Sequence, residues 1–345
     1  MAASRLFRLV VLATFGMAAT GAIAAAPRSA PGNASAPAAA YEHLVEAARA
    51  VVSLRIKAIA NARSNVTLGN ERVGSGVYIA PQNLVLTIGY LILEADHVEV
   101  TTSTGRTVPA IVAAYDPATG FGLLRPLAPL DIKAIALGAS GRVDALDRLL
   151  VASGATEDAL SVATVVAKRQ FAGYWEYLID DAIFTAPPRA DFGGAALINR
   201  EGELVGIGSL LVMDAATPGE RLPGNMFVPI DLLKPVLGEM VSTGRQKGGA
   251  RPWLGINSRE HEGRLHVIRV SADSPAERAG IEAGDIILQV GGKSVETLPE
   301  FYKRVWNAGA PGVEVTLKLL KGTEVQEVKV RTIDRFELIR KRPGI

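Results

Sequence analysis

Through to about Phe227 the chain is dominated by short apolar runs broken by turn residues: GVYIA, LVLTI, HVEVTT, VPAIVAAY, RLLVASG, SVATVVAK, AALI and ELVGIGSLLV. Runs of roughly four to eight residues have the length of strands rather than helices. Their close succession leaves no room for the crossover helices of a parallel sheet, so the pattern predicts antiparallel all-β barrels. Ahead of them, YEHLVEAARAVVSLRIKAI has mixed apolar spacing and predicts a short helix running into a strand. Behind them, DLLKPVLGEMVSTGR predicts a helix with one apolar face and Gly244 as its stop. QKGGARP marks a linker. From Trp253 to about Thr332, strands mix with two short helical patterns over the length of one small domain. The end, RFELIRKRPGI, reads as a solvated terminus.

A chain of 345 residues with 48% hydrophobic content has material for two or three domains. Lys and Arg number 37 against 35 Asp and Glu, without a basic stripe, which excludes nucleic acid as an electrostatic partner. The chain has no cysteine, hence no disulfide framework, no thiol nucleophile and no thiolate metal site. At the start, Arg5 and Arg8, the apolar stretch LVVLATFGMAATGAI and the small residues of AIAAAP have the form of a secretory signal. Pro27 hinders a cut directly before it, so release is expected after Ala24. The competing reading is an uncleaved anchor, which the short, Ala- and Gly-rich stretch disfavours. Loss of Arg5 and Arg8 brings the formal charge from +2 to about zero, so no attraction to anionic membranes is expected. Residues 25–40 read as a flexible linker.

Four landmarks resemble the HtrA/Deg proteases in family order. GSGVYIAPQNLVLTIGY, residues 74–90, is similar to the family segment in which a Gly-Ser-Gly turn leads to a threonine and, three residues on, the catalytic histidine; here Thr87 is followed by Tyr90. AYDPATGFGLLRP, residues 114–126, resembles the stretch before the catalytic aspartate, with Asp116 and Pro117 at the turn and Gly120 at the aspartate position. DFGGAALINREGELVGI, residues 191–207, aligns through Gly202, Glu203 and Leu204 and sets Gly193 where the nucleophilic serine belongs; a one-residue shift puts Phe192 there. GNMFVPIDLL, residues 224–233, is similar to the strand that closes the protease domain. The resemblance implies a mainly β fold, a trypsin-like double β-barrel over residues 41–245 followed by a PDZ domain over 251–333 and a tail over 334–345.

Acyl transfer by this route needs an oxygen nucleophile, a base that accepts its proton near neutral pH, and a carboxylate that orients the base. Gly193 has no side chain, a tyrosine titrates near pH ~10, and Gly120 has no carboxylate. The residual thousandfold or so that an oxyanion hole alone supplies is expected to be weak, because Asp191 and Phe192 replace small residues and a carboxylate there repels a developing oxyanion. The histidines are His43, His97, His261 and His266. His97 lies seven residues beyond Tyr90, up to about 23 Å along an extended strand, and reads as a surface strand position. Ser75 reads as part of a turn whose glycines need unusual backbone angles. No His, Asp and Glu cluster has metal-ligand spacing, and no cofactor is implied.

RPWLGI, residues 251–256, and SPAERAGIEAGDIILQVGGKSV, residues 274–295, resemble the PDZ domain of HtrA proteins. A Gly-containing turn can aim successive amides at one point and so hold the carboxylate of a chain end, while the peptide adds as a strand. By the resemblance the amides are those of Leu254, Gly255 and Ile256 behind Trp253, with Arg251 assisting. Ser274 caps a helix with Pro275 at its first position, and DIILQV follows as a strand. LPEFYKRVWNAG predicts a groove-walling helix with Phe301, Val305 and Trp306 on one face, the alternative being that Phe301 and Trp306 only fill the core.

The expectation is a periplasmic, catalytically inactive HtrA/Deg-like protein that binds peptides or protein C-termini. Its partners would be unfolded envelope proteins or an active HtrA-type protease that it serves as adaptor or regulator, and the resemblance implies trimers. The alternative is an active serine-type endopeptidase. A third reading has the groove filled by the chain's own tail, ending in Ile345.

Overall fold

A computed structural model describes residues 36–80, 82–154, 159–246 and 250–340; the expected signal peptide, most of the expected linker and Ile345 lie outside them. Helix α1 (Ala36–Ala48) leads into strand β1 (Val51–Ala58). The helix takes in residues 36–40 of the expected linker, whose APAAA run has the strongest helix former at four of five positions. Strand β1, a short helix α2 (Asn65–Leu68), β2 (Glu71–Ile79) and β3 (Leu84–Ile88) are followed by a single turn, α3 (Gly89–Ile92). Strands β4 (Ala95–Thr101), β5 (Thr107–Tyr115) and β6 (Phe121–Pro126) close the first barrel in the order β1-β2-β3-β6-β5-β4. Along β1 the pleat buries Leu54, Ile56 and Ala58 and exposes Arg55 and Lys57. Strand β3 is buried at all five positions, so it shows no such alternation.

The second barrel runs β7 (Arg148–Ala152), β8 (Leu160–Gly173), β9 (Tyr177–Ala186), β10 (Ala196–Ile198), β11 (Leu204–Val212) and β12 (Gly224–Pro229), closed in the order β10-β11-β12-β9-β8-β7. One apolar cluster joins the barrels, from Val52, Leu86 and Phe121 in the first to Phe184, Ile198 and Met226 in the second. Each such side chain contributes about 1.5–3 kcal/mol by leaving water, so the barrels do not part without exposing a shared core. The helix predicted over 231–245 is shorter, α4 (Leu237–Thr243), behind a 3-10 turn at Ile230–Leu232. Pro235 has no amide to donate and breaks the first half. Gly244 ends α4 in the left-handed region at φ 78.

In the C-terminal domain β13 (Pro252–Trp253) precedes a sheet of β14 (Ile256–His261), β15 (Arg264–Val270), β16 (Ile286–Val290), β17 (Lys293–Ser294), β18 (Glu314–Lys321) and β19 (Glu324–Arg331). The order is β14-β15-β16-β18-β19, with β17 paired to β16, and β20 (Ile333–Asp334) returns to pair with β13. Helix α5 (Pro275–Arg278) starts with the Ser274 hydroxyl accepting from the Glu277 amide, and α6 (Leu298–Trp306) buries Leu298, Phe301, Tyr302 and Val305.

Two expectations are corrected. The Gly-Ser-Gly triplet is not a turn but lies inside β2, and its glycines answer to crowding: a Cβ on Gly74 would stand 2.9 Å from the Gly193 carbonyl oxygen. The described part of the tail, residues 334–340, is not a free terminus. An Asp334–Glu337 capping box folds it into a 3-10 turn, Phe336 packs on Tyr115 at 5.8 Å, and the Arg340 amide donates to Glu94 at 2.9 Å.

Candidate functional site

The cleft between the barrels brings three of the singled-out positions together. Tyr90 sits on α3, whose terminal carbonyls lack helical partners. The buried guanidinium of Arg72 on β2 satisfies them, donating to the carbonyls of Tyr90 at 3.1 Å and Leu93 at 2.7 Å. So fixed, the Tyr90 hydroxyl crosses to the second barrel and donates to the Ser209 carbonyl at 3.1 Å. Burial pushes this phenol well above its ordinary range, so it stays protonated and offers no base. A Cβ on Gly193 would lie 2.9 Å from the same hydroxyl. Gly193 itself is tied to the first barrel, its carbonyl accepting from the Ser75 amide at 2.8 Å.

Gly120 adjoins this pair, its carbonyl accepting from the Gly89 amide at 2.7 Å. Its backbone has φ 82, and a Cβ there would stand 2.9 Å from the Tyr177 hydroxyl. An aspartate at this position would therefore be strained as well as crowded. Asp116 does not compensate: its carboxylate accepts from the Thr119 amide and hydroxyl at 3.0 and 2.6 Å and closes a local turn. The expected repulsion from Asp191 is corrected, because Arg189 holds that carboxylate in a two-pronged pair at 2.8 and 2.6 Å. Ser75 turns its buried hydroxyl away, to Ser153 at 3.2 Å and the Gly154 amide at 3.0 Å.

No imidazole reaches the cleft. His43 binds the Arg200 carbonyl at 2.6 Å, His97 lies on β4 beside Asp96 at 3.0 Å, and His261 and His266 pair at 5.7 Å in the C-terminal domain. Among the described residues no His, Cys, Asp and Glu group has the arrangement of a metal site.

In the C-terminal domain the amides of Leu254, Gly255 and Ile256 do converge on a carboxylate, at 3.1, 2.7 and 2.9 Å, and it belongs to Glu176 of the second barrel. Gly255, at φ 88, allows the turn that aims them. Glu176 sits at the tip of the β8–β9 hairpin, in the left-handed region at φ 57, which a non-glycine residue adopts at a cost. From the opposite wall, α6, the Tyr302 hydroxyl donates to the Gly173 carbonyl at 2.6 Å and accepts from the Glu176 amide at 3.3 Å. On the edge strand the Ser258 amide donates to the Tyr174 carbonyl at 2.9 Å. Leu178 of β9 joins the apolar cluster of Leu254, Ile256, Phe301 and Val305. Burial pushes the Glu176 carboxyl up to about 7, against the pull of the three amides and of Arg335.

Trp253, Leu254, Ile256, Phe301 and Val305 are all buried, and Arg251 lays its guanidinium over the Trp306 ring at 4.0 Å rather than toward a chain end. Sequence reasoning missed Glu176. The one signal was a carboxylate inside the aromatic run YWEY, where a hairpin tip calls for small turn residues.

The trypsin-like peptidase domain family matches residues 74–207, and the PDZ domain family matches residues 252–332. The serine endoprotease DegS of Haemophilus influenzae is 27% identical over 301 residues, covering 84% of this chain and 86% of that one. The chain carries a trypsin-like peptidase domain followed by a PDZ domain, and in this it is similar to the HtrA/Deg-type proteases. The periplasmic serine endoprotease DegP of Salmonella typhimurium is 28% identical over 268 residues, which cover 72% of this chain and 54% of DegP, so the match spans about half of that relative. Among solved structures, the HtrA-type protease AlgW with decapeptide superposes with a TM-score of 0.53 at 20% identity, covering 88% of this chain and 99% of AlgW; at that identity the likeness is one of fold.

Proposed function

We propose that this chain is a periplasmic pseudoprotease of the HtrA/Deg type: it takes the chain ends of peptides or envelope proteins through its PDZ domain and does not cut them, serving quality control or an active relative. The observation that carries this reading is the cleft, where a glycine faces a protonated tyrosine hydroxyl and every histidine lies elsewhere. A nucleophile without a base is slow, and here the nucleophile is missing as well. The periplasmic part rests on the signal-like start of the sequence and on relatives named as periplasmic.

The second reading, an active endopeptidase, has one observation in its favour: the curated relatives are named serine endoproteases. Incubation of the purified chain with an unfolded protein substrate and with a fluorophosphonate probe separates the two. The expected outcome is no cleavage and no covalent label above a heat-denatured control. A labelled side chain in the barrel domain would establish the second reading instead.

A further inference from the structure

The PDZ groove is built to pair a strand along its edge and to hold a carboxylate at its closed end. Strand β14 is an edge strand, hydrogen-bonded to β15 on one side only. On its free side lie residues 174–176, with the spacing an extended peptide would have. The Ser258 amide takes the Tyr174 carbonyl, and two residues further along the occupying segment the Glu176 carboxylate fills the cradle of Leu254, Gly255 and Ile256 amides. Helix α6 closes the other wall through the Tyr302 hydroxyl, and Leu178 supplies an apolar side chain to the floor.

We propose that the β8–β9 hairpin tip is an internal ligand of the PDZ domain: the Glu176 side-chain carboxylate stands in for the carboxylate of a chain end, and an external C-terminus binds by displacing the hairpin. The inference rests on the reading that this groove accepts chain ends, and it identifies the occupant as a segment of the protease-fold domain instead of the tail. The tail, as far as it is described, runs to the first barrel, where the Arg340 amide is held by Glu94. One further feature marks the tip as a latch. The Glu176 carboxylate is buried for the sake of three amides in another domain. Displacement returns it to water, and β8 and β9 stay paired behind the tip from Gly173 and Tyr177 onward.

The test uses the full chain, with Glu176→Ala and the isosteric Glu176→Gln, and two readouts. The first is hydrogen exchange at the Gly255, Ile256 and Ser258 amides. The second is the affinity for a fluorescein-labelled peptide with an apolar last residue and a free carboxylate, beside the same peptide amidated at its C-terminus. Glu176→Ala is expected to speed exchange at these amides at least tenfold and to tighten binding of the free-carboxylate peptide at least tenfold, with no gain for the amidated one; Glu176→Gln lies between. Unchanged exchange in both variants overturns the latch, whether or not peptide binds. Faster exchange with equal peptide affinity in wild type and variants overturns the hairpin as a competitor. Faster exchange with no peptide binding to any form leaves the latch standing and removes the reading that the groove takes free chain ends.

Discussion

The barrel cleft and the PDZ groove are two concavities of one chain, each with a tyrosine hydroxyl at its centre, Tyr90 in one and Tyr302 in the other, and they differ in what stands beside it. On the function proposed above, the cleft differs in composition: Gly193, Tyr90 and Gly120, at the positions the resemblance gives to the triad, lack the atoms that acyl transfer requires. In the groove the amide cradle is complete and satisfied, by a residue 78 to 80 positions upstream that, on the inference above, an incoming chain end displaces. The first is a loss, the second an occupancy. Their chemistry can therefore be separated by substitutions that act on one and leave the other intact.

The largest effect is expected where the cleft is tightest. Gly194 has φ 76, and a Cβ there would stand 2.6 Å from the Thr87 hydroxyl and closer still to the Ser75 carbonyl. Gly194→Ala should cost about 4 kcal/mol, from backbone strain and overpacking together, read as a lowered midpoint in denaturant. Exchange at the Ile256 amide, across the molecule, should stay at its wild-type rate under native conditions. An equal disturbance of both sites would break the separation drawn above.

The next effect belongs to the groove and is one of pH. Glu176 titrates at about 7 when docked, against 4.5 when free. A carboxyl whose docked value is raised binds a proton on docking, so docking is firmest below pH 4.5, weakens as pH rises toward 7, and is level above. At about 1.4 kcal/mol per unit the change is on the order of 3 kcal/mol. The groups facing Glu176 are Tyr302 on α6, which burial keeps protonated, the guanidinium groups of Arg335 on the tail and Arg251 on the linker, and Glu260 on β14, which acts on Tyr302. Hydrogen exchange at Ser258, corrected for its intrinsic pH dependence, should show less protection at pH 7.5 than at pH 5 in the wild type and no such trend in Glu176→Gln. A trend that persists in the variant would assign it to another group.

The smallest effect sharpens the cleft. Gly193→Ser alone should destabilise by about 1–2 kcal/mol, because the new side chain meets the Tyr90 hydroxyl. Tyr90→Phe also costs about 1 kcal/mol, for the hydrogen bond to Ser209. The double variant should cost less than the sum by about 1 kcal/mol, a coupling measurable in a double-mutant cycle. Additivity within error would mean that the two positions do not touch.

Much of this architecture was legible in the residues. The short runs punctuated by turns gave antiparallel barrels, and Ser274 with Pro275 gave a capped helix start, because these features are local and their causes lie within a few residues. The failures share the opposite property. Gly74 reads as a turn residue until Gly193 is known to press against it from more than a hundred residues away. RFELIR reads as a charged terminus because the partners that fold it, Tyr115, Asn61 and Glu94, sit on the first barrel. Glu176 reads as one more polar residue in a hairpin, since the amides that hold it carry no side-chain signature. Backbone donors are invisible to composition, and a site made of them is found only once the turn that aims them has been built.

The path of the chain at the PDZ domain has a mechanical consequence. The domain is left through β20, which runs against β13, the strand through which it is reached, and the tail then goes back to Glu94 and Asn61 on the first barrel. A salt bridge from Arg63 to Asp273 at 2.7 Å adds a rivet on the same side. A domain suspended on one flexible cord could swing clear of its neighbour, but this one is moored at both ends of its own sequence. Room for an incoming peptide must then come from the light partner, a three-residue loop peeling off the edge of a sheet, while the heavy partner stays in its berth.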